Sequence, residues 1–221
     1  MQFSPIVERV KENGSTLCGA PSLDRIESGF KIPEWNVRPK AFGRFYNAIY
    51  DEWVRNDVGK IYIQMFDLQL GFEMGLPSSL CVYSKTCGTA GIMEHQGDVY
   101  SCDHFVYPEY QLGNIKNRNL AEMFESEQQI KFGQDKFDKL PSDCKKCEFL
   151  EKCYGGCPKH RFNKGKSGEP GLNYLCEGYK LFFEHIKPTM TYMANCLQKR
   201  QSPANVMAWM RAVDEKKVRL P

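Results

Sequence analysis

The chain has 221 residues, of which 42% are hydrophobic and 26% are charged, the balance of an ordinary globular protein. Its 30 basic and 27 acidic residues give a formal net charge of +3 and are spread along the sequence, which argues against disorder and against a basic surface for nucleic acid. We recognise no secretion signal and no apolar run near the roughly 18 residues of a membrane span. We therefore expect a cytoplasmic, soluble protein with neither a nucleic-acid nor a membrane partner.

The N-terminal part of the chain predicts few regular elements before its first helix. Met1 to Val7 is a short apolar stretch that predicts a buried strand that has lost the partner strands before it. The glycines and prolines between Lys11 and Pro39 predict an irregular connection. Pro39 then suits the first turn of an amphipathic helix that ends before Gly59. The next segment predicts a strand that contains Ile61, Ile63 and Met65.

The middle of the chain predicts a β-hairpin followed by a helix. Two short strand-like runs flank the turn Gln96-Gly97-Asp98, so residues 91–102 predict a hairpin with Cys102 on its return strand. This arrangement would anchor a thiolate on rigid backbone. Asn119 is the predicted N-cap of a helix that includes Leu120, Met123 and Phe124 and could extend to Ile130.

The C-terminal part predicts two further helical segments. The first follows Cys176 and carries apolar residues at helical spacing, with a bend or break expected near Pro188. The second is a surface helix between Pro203 and Lys216. Its apolar face is expected to include Trp209 and Met210.

Eight of the ten cysteines fall into two spaced groups. The first group is Cys81-x5-Cys87-x14-Cys102, and the second is Cys144-x2-Cys147-x5-Cys153-x3-Cys157-x18-Cys176. Eight thiolates are what two four-ligand metal centres require, whereas a disulfide framework does not suit a reducing compartment. The two cysteines outside the groups are interpreted as free thiols; they are Cys18 and Cys196.

Cysteine spacing alone leaves the metal open between zinc and iron. Cys144 and Cys147 form one knuckle of the kind that holds structural zinc, but the pattern after them is dense and irregular. Gly155 and Gly156 lie beside thiolates, where glycine lets backbone amides approach the inorganic sulfide of an iron-sulfur cluster. These features favour iron-sulfur over zinc, and the spacing does not assign the eight ligands to two centres.

The sequence around the cysteines resembles a known family. The resemblance is carried by the run CGTAGIMEHQGDVYSCDHFVYPEYQLGNI, followed by CKKCEFLEKCYGGCPKHR and Cys176. This pattern resembles the SPASM domain that ends many radical S-adenosylmethionine (radical SAM) enzymes. The closer likeness is to the anaerobic sulfatase-maturating enzymes, and it covers nearly the whole chain from MQFSPIVE onward.

The resemblance implies two [4Fe-4S] clusters with cysteine ligands. The first cluster would be held by Cys81, Cys87, Cys102 and Cys157. The second cluster would be held by Cys144, Cys147, Cys153 and Cys176. Because four thiolates leave no open coordination site on either cluster, we expect both clusters to transfer electrons rather than to bind substrate.

The resemblance also implies an α+β fold in three parts. Residues 1–76 would contain the last strand and the helices of a partial (β/α)6 radical SAM barrel, together with a linker. Residues 77–180 would form the SPASM domain from a β-hairpin, loops and helices. Residues 181–221 would form the C-terminal helices.

The chain departs from the family in one motif. The family uses a C-x3-C-x2-C motif to hold the cluster that binds and cleaves S-adenosylmethionine, and this spacing does not occur in the 221 residues. The nearest spacing, Cys153-x3-Cys157, continues to His160. We therefore interpret the chain as the C-terminal part of a larger enzyme, through truncation, a split gene or a cloning boundary. S-adenosylmethionine and a third [4Fe-4S] cluster would belong to the full-length enzyme, and we expect the chain alone not to generate a radical.

The resemblance implies that the intact enzyme oxidises a cysteine or serine of an unfolded sulfatase polypeptide to Cα-formylglycine. A 5′-deoxyadenosyl radical would take a hydrogen from Cβ, Asp103 would remove the side-chain proton as general base, and an auxiliary cluster would accept the remaining electron. Negative charge on a thiolate-bound cluster would strengthen a neighbouring carboxylate as a base. The alternative is that Asp103 only caps a turn by accepting backbone N–H bonds. A flavodoxin- or ferredoxin-type electron donor is the other partner implied.

Other residues near the cysteines keep a structural interpretation. His104 could orient Asp103, but its position is more typical of a surface hydrogen-bonding group. His160 would be a metal ligand only in place of a thiolate. The tyrosines around Cys102 are more typical of a core than of a peptide groove; they are Tyr100, Tyr107 and Tyr110.

Two other function classes stay open. Another radical SAM/SPASM peptide-modifying enzyme would form thioether or carbon-carbon links. A zinc-stabilised binding module without a redox role would be colourless and stable in air, whereas iron-sulfur clusters give a brown protein that bleaches with oxygen. The sequence does not distinguish a cysteine target from a serine target.

Overall fold

Residues 1–14 and 16–216 are described by a computed structural model, and their contacts divide them into two units. The first unit comprises residues 1–6, residues 37–79 and the described residues from 175 onward. The second unit comprises the described part of residues 7–36 together with residues 80–174. None of the described helices combines the length and the apolar character that crossing a bilayer demands.

Helices and small antiparallel sheets are both present, so the described fold is α+β. The α-helices in chain order are α1 (Pro39–Asn56), α2 (Gln64–Glu73), α3 (Leu120–Phe124), α4 (Glu127–Asp138), α5 (Ser142–Lys145), α6 (Leu150–Cys153), α7 (Cys176–Gln198) and α8 (Asn205–Asp214). The strands are β1 (Val10–Lys11), β2 (Phe30–Lys31), β3 (Ile92–Met93), β4 (Asp98–Tyr100) and β5 (Gln111–Asn114). Short 3₁₀ helices cover Cys81–Tyr83, Pro108–Tyr110 and Pro158–His160.

Helix α1 of the first unit forms where the sequence predicts it. Pro39 is its first residue, where the missing N–H of proline costs no helical hydrogen bond. The helix ends as the Asp57 N–H donates to the Trp53 carbonyl, 2.9 Å away, before Gly59 turns the chain with a φ of 80°. Its buried face follows the helical period and includes Phe42, Tyr46, Tyr50 and Trp53.

Two glycines let helices α1 and α7 pack closely. A Cβ atom on Gly43 would lie 2.7 Å from the Gly178 carbonyl oxygen, and one on Gly178 would lie 2.2 Å from the Pro39 carbonyl oxygen. Both distances are too short for real side-chain contacts. The two backbones therefore meet because neither glycine has a side chain.

Aromatic side chains fill the core of the first unit. The ring centroids of Tyr50 and Phe66 lie 5.0 Å apart, and those of Tyr46 and Phe182 lie 5.3 Å apart. Each such pair contributes about 0.5–1.5 kcal/mol beyond the burial of its area. The Tyr50 hydroxyl is buried with them and is satisfied by the Thr189 hydroxyl, 2.7 Å away.

The strand predicted around Ile61, Ile63 and Met65 is wrong, because the chain is helical from Gln64 onward. The Ile61 carbonyl accepts a hydrogen bond from the Trp53 indole at 2.8 Å, so it is engaged within the unit rather than in a ladder. The helix also carries Phe66 into the aromatic core. A short apolar run in a sequence is compatible with a strand or a helix, and here the packing of its side chains in the core favours the helix.

The break predicted near Pro188 is also wrong, because α7 continues through this residue. Proline lacks the N–H for one helical hydrogen bond. The helix is buried on both sides of it, with Phe182 and Ile186 before and Met190 and Met193 after. Burial of each such side chain contributes about 1.5–3 kcal/mol, which outweighs the lost bond. Helix α8 forms as predicted within Pro203–Lys216, with Met210 buried.

No strand ladder includes Met1 to Val7 among the described residues, which is compatible with a strand that has lost its partners, so the strand itself stays a prediction. Residues of the first unit hold the segment instead through single hydrogen bonds. The Met1 amino group donates to the Tyr62 carbonyl at 2.6 Å, and the Tyr46 hydroxyl donates to the Phe3 carbonyl at 2.7 Å. An extended chain without a neighbouring ladder does not make a sheet.

In the second unit the predicted hairpin forms from β3 and β4, which pair antiparallel. Gly97 occupies the turn with a φ of 94°. Cys102 lies two residues beyond the end of β4 rather than on the return strand, which corrects the prediction. Strand β5, which the sequence did not predict, pairs with β4 through an irregularity at Val99 and Tyr100.

The predicted helix after the hairpin is split into α3 and α4. Asn119 caps α3 as expected, because its side chain accepts the Ala121 N–H at 2.8 Å. Ser126 caps α4 by accepting the Gln129 N–H at 3.3 Å. The small core under the sheet is formed by Val99, Leu112 and Met123.

Candidate metal centre

The first cysteine group lies in the second unit and is held against helix α4. Cys81 begins a 3₁₀ helix, and the Cys87 N–H donates to the Gly133 carbonyl at 3.3 Å. A Cβ atom on Gly133 would lie 2.4 Å from the Cys87 carbonyl oxygen. The absence of a side chain at Gly133 therefore lets the Cys87 backbone contact the helix.

Gln129 ties together the two loops that carry Cys87 and Cys102. Its side-chain amide donates to the Gly88 carbonyl at 2.5 Å and to the Ser101 carbonyl at 3.1 Å. Gln129 is almost fully buried, although sequence reasoning did not single it out. A polar residue on the buried face of a helix gives no signal in a hydrophobic pattern.

Asp103 and His104 lie in the loop that follows Cys102. The Cys102 thiol donates to Asp103 Oδ1 at 3.1 Å, and the His104 N–H donates to the same oxygen at 3.0 Å. Asp103 thus accepts a backbone hydrogen bond, as the structural alternative predicts. Its exposed carboxylate nevertheless stays directly beside a cysteine thiol.

His104 also connects the two cysteine groups. Its Nδ1 atom lies 3.3 Å from the Sγ atom of Cys157, a member of the second group. The ring of His160 lies 6.2 Å from that of His104 and is buried. Burial lowers the pKa of His160 to about 4, with smaller contributions from the charges of His104 and Lys159. This side chain is therefore neutral at pH 7.

The second cysteine group is carried by short elements of the second unit, except for its last member. Cys144 lies in α5 and Cys153 ends α6. The loop from Cys153 to Cys157 is left-handed at three successive residues, and the Gly156 N–H donates back to the Cys153 carbonyl at 2.9 Å. Cys176 begins α7 and belongs to the first unit.

Cys157 lies close enough to Cys81, Cys87 and Cys102 for their charges to interact, and Cys81 also acts on Cys87. Burial raises the pKa of Cys87 to about 11, with a contribution from Cys81. Burial raises the pKa of Cys157 to about 12, with contributions from Cys81 and Cys87. Burial also raises the pKa of Cys102. The hydrogen bond to Asp103 and the charges of Asp103 and Cys157 raise it further.

Two buried cations lie among these cysteines. Lys136 and Arg161 are each 0% exposed. Burial, together with the charge of Arg161, lowers the pKa of Lys136 to about 8. Burial also lowers the pKa of Arg161, while nearby cysteine thiolates oppose this change. Neither residue was singled out from the sequence.

The cysteines are chemically suited to a thiolate-bound metal group. All ten, which lie within the described residues, are free of disulfides. As the side chains stand, no three His, Cys, Asp or Glu residues within 1–14 and 16–216 form a group that could hold a metal ion. The mutual influence of four thiols and the two buried cations nevertheless fit an anionic metal group at this place. The assignment of individual ligands stays a prediction.

Known proteins resemble this chain in sequence. The SPASM family, described as an iron-sulfur cluster-binding domain, matches residues 87–148. A serine-type anaerobic sulfatase-maturating enzyme of Bacteroides thetaiotaomicron is 49% identical over 209 residues, which are 94% of this chain and 50% of that protein. A cysteine-type enzyme of Clostridium perfringens is 32% identical over 163 residues, 73% of this chain and 44% of that protein. The chain therefore spans about half the length of the curated relatives it matches.

Solved structures resemble it as well. The structure of hexahistidine-tagged anSMEcpe with bound AdoMet has a TM-score of 0.65 and 30% identity, and the match covers 85% of this chain and 48% of that one. Native anSMEcpe with bound AdoMet and Cp18Cys peptide has a TM-score of 0.65 and 31% identity, with 80% of this chain and 48% of that one covered.

Proposed function

Since this chain belongs to the family of the anaerobic sulfatase-maturating enzymes, we propose that it is the part of such an enzyme that carries two auxiliary [4Fe-4S] clusters and the general base. The observation that supports the cluster site best is the 3.3 Å contact between His104 Nδ1 and the Cys157 Sγ atom, which brings Cys157 to the loop after Cys102, whose group also contains Cys81 and Cys87. These four cysteines come from both groups, and they are the set expected for the first cluster. The set proposed for the second cluster is Cys144, Cys147, Cys153 and Cys176.

When bound, the clusters supply one-electron transfer. The protein contributes the thiolates, the buried surroundings and the placement of the peptide. Asp103 is proposed to take the proton from the side chain of the residue to be oxidised. Its carboxylate is exposed, so a peptide can reach it, and its position directly after Cys102 in the chain keeps it beside a proposed ligand. A positioned base typically contributes a factor of about 10²–10⁴ in rate.

The substrate proposed is an unfolded sulfatase polypeptide whose active-site cysteine or serine becomes Cα-formylglycine. Serine-type and cysteine-type enzymes both occur among the relatives, so the similarity supports the reaction class without selecting the target. A related structure contains a bound peptide, which supports a polypeptide substrate. S-adenosylmethionine and a third [4Fe-4S] cluster are assigned to the remainder of the full-length enzyme, which would work in the cytoplasm with a flavodoxin- or ferredoxin-type donor.

The test is a count of iron, acid-labile sulfide and zinc on chain that has been purified and reconstituted without oxygen. About eight iron and eight sulfide atoms per chain are expected for two clusters. Cys147→Ser should lose about half of the iron, whereas Cys18→Ser, outside both groups, should keep all of it. About two zinc ions without sulfide would instead indicate a zinc-stabilised module and overturn the proposal.

The reaction itself is tested on a full-length enzyme with a sulfatase-motif peptide. Mass spectrometry should detect the formylglycine product. Formation of a thioether or carbon-carbon link instead would assign the chain to another peptide-modifying branch of the SPASM enzymes.

A further inference from the structure

Lys136 and Arg161 are two fully buried cations in the second unit, at 0% exposure each. Lys136 lies on α4, and Arg161 follows the 3₁₀ helix that begins directly after Cys157. Lysine and arginine are almost never fully buried unless they are paired. Their partners therefore indicate what this site is built to hold.

The Lys136 ammonium group binds the backbone beside the first cysteine group. It donates to the carbonyl of Cys81 at 2.6 Å and to that of Val82 at 3.0 Å, and it also contacts the Ser84 carbonyl. All three hydrogen-bond partners are neutral. The ammonium thus fixes the segment that carries Cys81 and places a positive charge beside its backbone.

The Arg161 guanidinium plays the same part for the second group. It donates to the Gly155 carbonyl at 2.9 Å and to the Gly156 carbonyl at 3.2 Å, and it also contacts the Tyr154 carbonyl. These residues form the left-handed loop between two cysteines. A further N–H of the guanidinium donates to the Lys136 carbonyl, so the two cations belong to one network.

No carboxylate pairs with either cation among residues 1–14 and 16–216. The acidic groups close enough to act on Lys136 are the thiols of Cys81, Cys87 and Cys157, which would carry negative charge once they bind a cluster. Those close enough to act on Arg161 are Cys87, Cys144, Cys153 and Cys157. Two like charges buried together are costly without an opposite charge, and the ionisable groups around them that supply one are cysteines.

We propose that Lys136 and Arg161 are positioning residues that supply the buried counter-charge for the thiolate-bound clusters and raise their reduction potentials. This inference rests on the proposed cluster function. A cluster with four thiolates is anionic and gains one more negative charge on reduction, so a fixed positive charge nearby favours the reduced form. Removing that charge while keeping a hydrogen-bond donor should lower the potential.

The test compares Lys136→Gln and Arg161→Gln with the wild-type chain by redox titration followed by electron paramagnetic resonance. At a fixed potential, each substitution should change the oxidised-to-reduced ratio of a cluster about tenfold toward the oxidised form, which is about 59 mV for one electron. Lys136→Arg keeps the charge and should restore the wild-type ratio. Lys131→Gln removes an exposed charge from the same helix and should leave the ratio unchanged.

Each outcome decides the inference. Wild-type potentials in both glutamine variants at full iron content would overturn it and leave the cluster function intact, whereas a wild-type chain without iron and sulfide would overturn both. If the glutamine variants bind less iron, thermal unfolding of the metal-free chains decides between a charge and a structural role. Metal-free variants as stable as the wild type support the counter-charge, and metal-free variants that are also destabilised overturn it.

Discussion

The Nδ1 atom of His104 lies 3.3 Å from the Sγ atom of Cys157, although the two residues are 53 positions apart in the chain. This contact brings the loop after Cys102, the last member of the first cysteine group, to the fourth member of the second group. Cysteines that the sequence separates are thereby neighbours in the second unit. The contact supports a site in which Cys157 acts together with the first group.

Replacing Asp103 by Asn in a full-length enzyme should stop product formation while both auxiliary clusters stay bound. The substitution removes the proton acceptor but keeps a side chain that can accept the His104 N–H. We expect a loss of about 10²–10⁴ in rate, the usual contribution of a positioned base. Iron content and mass spectrometry of a sulfatase-motif peptide check both parts, with Glu109→Gln as an exposed acidic control. Full activity of the Asn variant would remove the assignment.

Replacing Gly133 by Ala should impair the first cluster site. The added Cβ atom would lie 2.4 Å from the Cys87 carbonyl oxygen, so the loop must move away from α4. We expect a cost of about 1–3 kcal/mol, as for other overpacked sites, and a lower iron content after reconstitution. Gln134→Ala, at an exposed position on the same helix, provides the control. Unchanged iron and stability in Gly133→Ala would mean that the contact does not position Cys87.

The metal-free chain should lose stability as the pH rises above 9. The folded state raises the pKa of Cys87 to about 11 and that of Cys157 to about 12, from an ordinary value of 9.0. Above pH 9 the unfolded thiols ionise while the folded ones keep their protons, so the unfolded state binds fewer protons and the free energy of unfolding falls. Below pH 9 both states are protonated and this contribution is fully present. Lys136 acts in the opposite direction, because its folded pKa of about 8 lies below the ordinary value of 10.5 and the unfolded state therefore binds more protons there, but it is one group against the two thiols.

Denaturant unfolding of the metal-free chain between pH 8 and 10 measures this slope, to which the buried Tyr46 and Tyr50 add only toward pH 10, because the ordinary pKa of tyrosine is 10.0. The slope should be shallower in Cys87→Ala. It should also be shallower in the cluster-loaded chain, whose ligating thiolates have already released their protons. A wild-type slope in Cys87→Ala would contradict the role of this thiol.

Replacing Gly178 by Ala should destabilise the first unit, because the new Cβ atom would lie 2.2 Å from the Pro39 carbonyl oxygen. Separation of α1 from α7 should cost about 1–3 kcal/mol. Gly71→Ala, in α2, meets only Leu76 at 3.8 Å and should stabilise the helix by roughly 0.5–1 kcal/mol through helix propensity. Thermal unfolding of the two variants compares them, and equal effects would show that the close helix contact is not selective for glycine.

Local patterns were enough to predict several elements of the fold. Pro39 begins α1, Asn119 caps α3 and the turn at Gly97 joins the hairpin, since each signal depends only on the conformation of its own segment. The strand predicted at Ile63 and the break predicted at Pro188 failed for the opposite reason. Their outcome depended on which side chains were available for packing from distant parts of the first unit.

The sequence by itself indicated an iron-sulfur cluster-binding domain, because eight grouped cysteines, their spacing and the family resemblance need no coordinates to be read. Only the tertiary structure decided which groups surround the thiols. Gln129, Lys136 and Arg161 are polar residues without a motif, and they became relevant when folding buried them against the carbonyls of cysteine-bearing loops. The energy of a buried charge depends on its distance from other charges and on its removal from solvent, and neither can be deduced from the order of the residues.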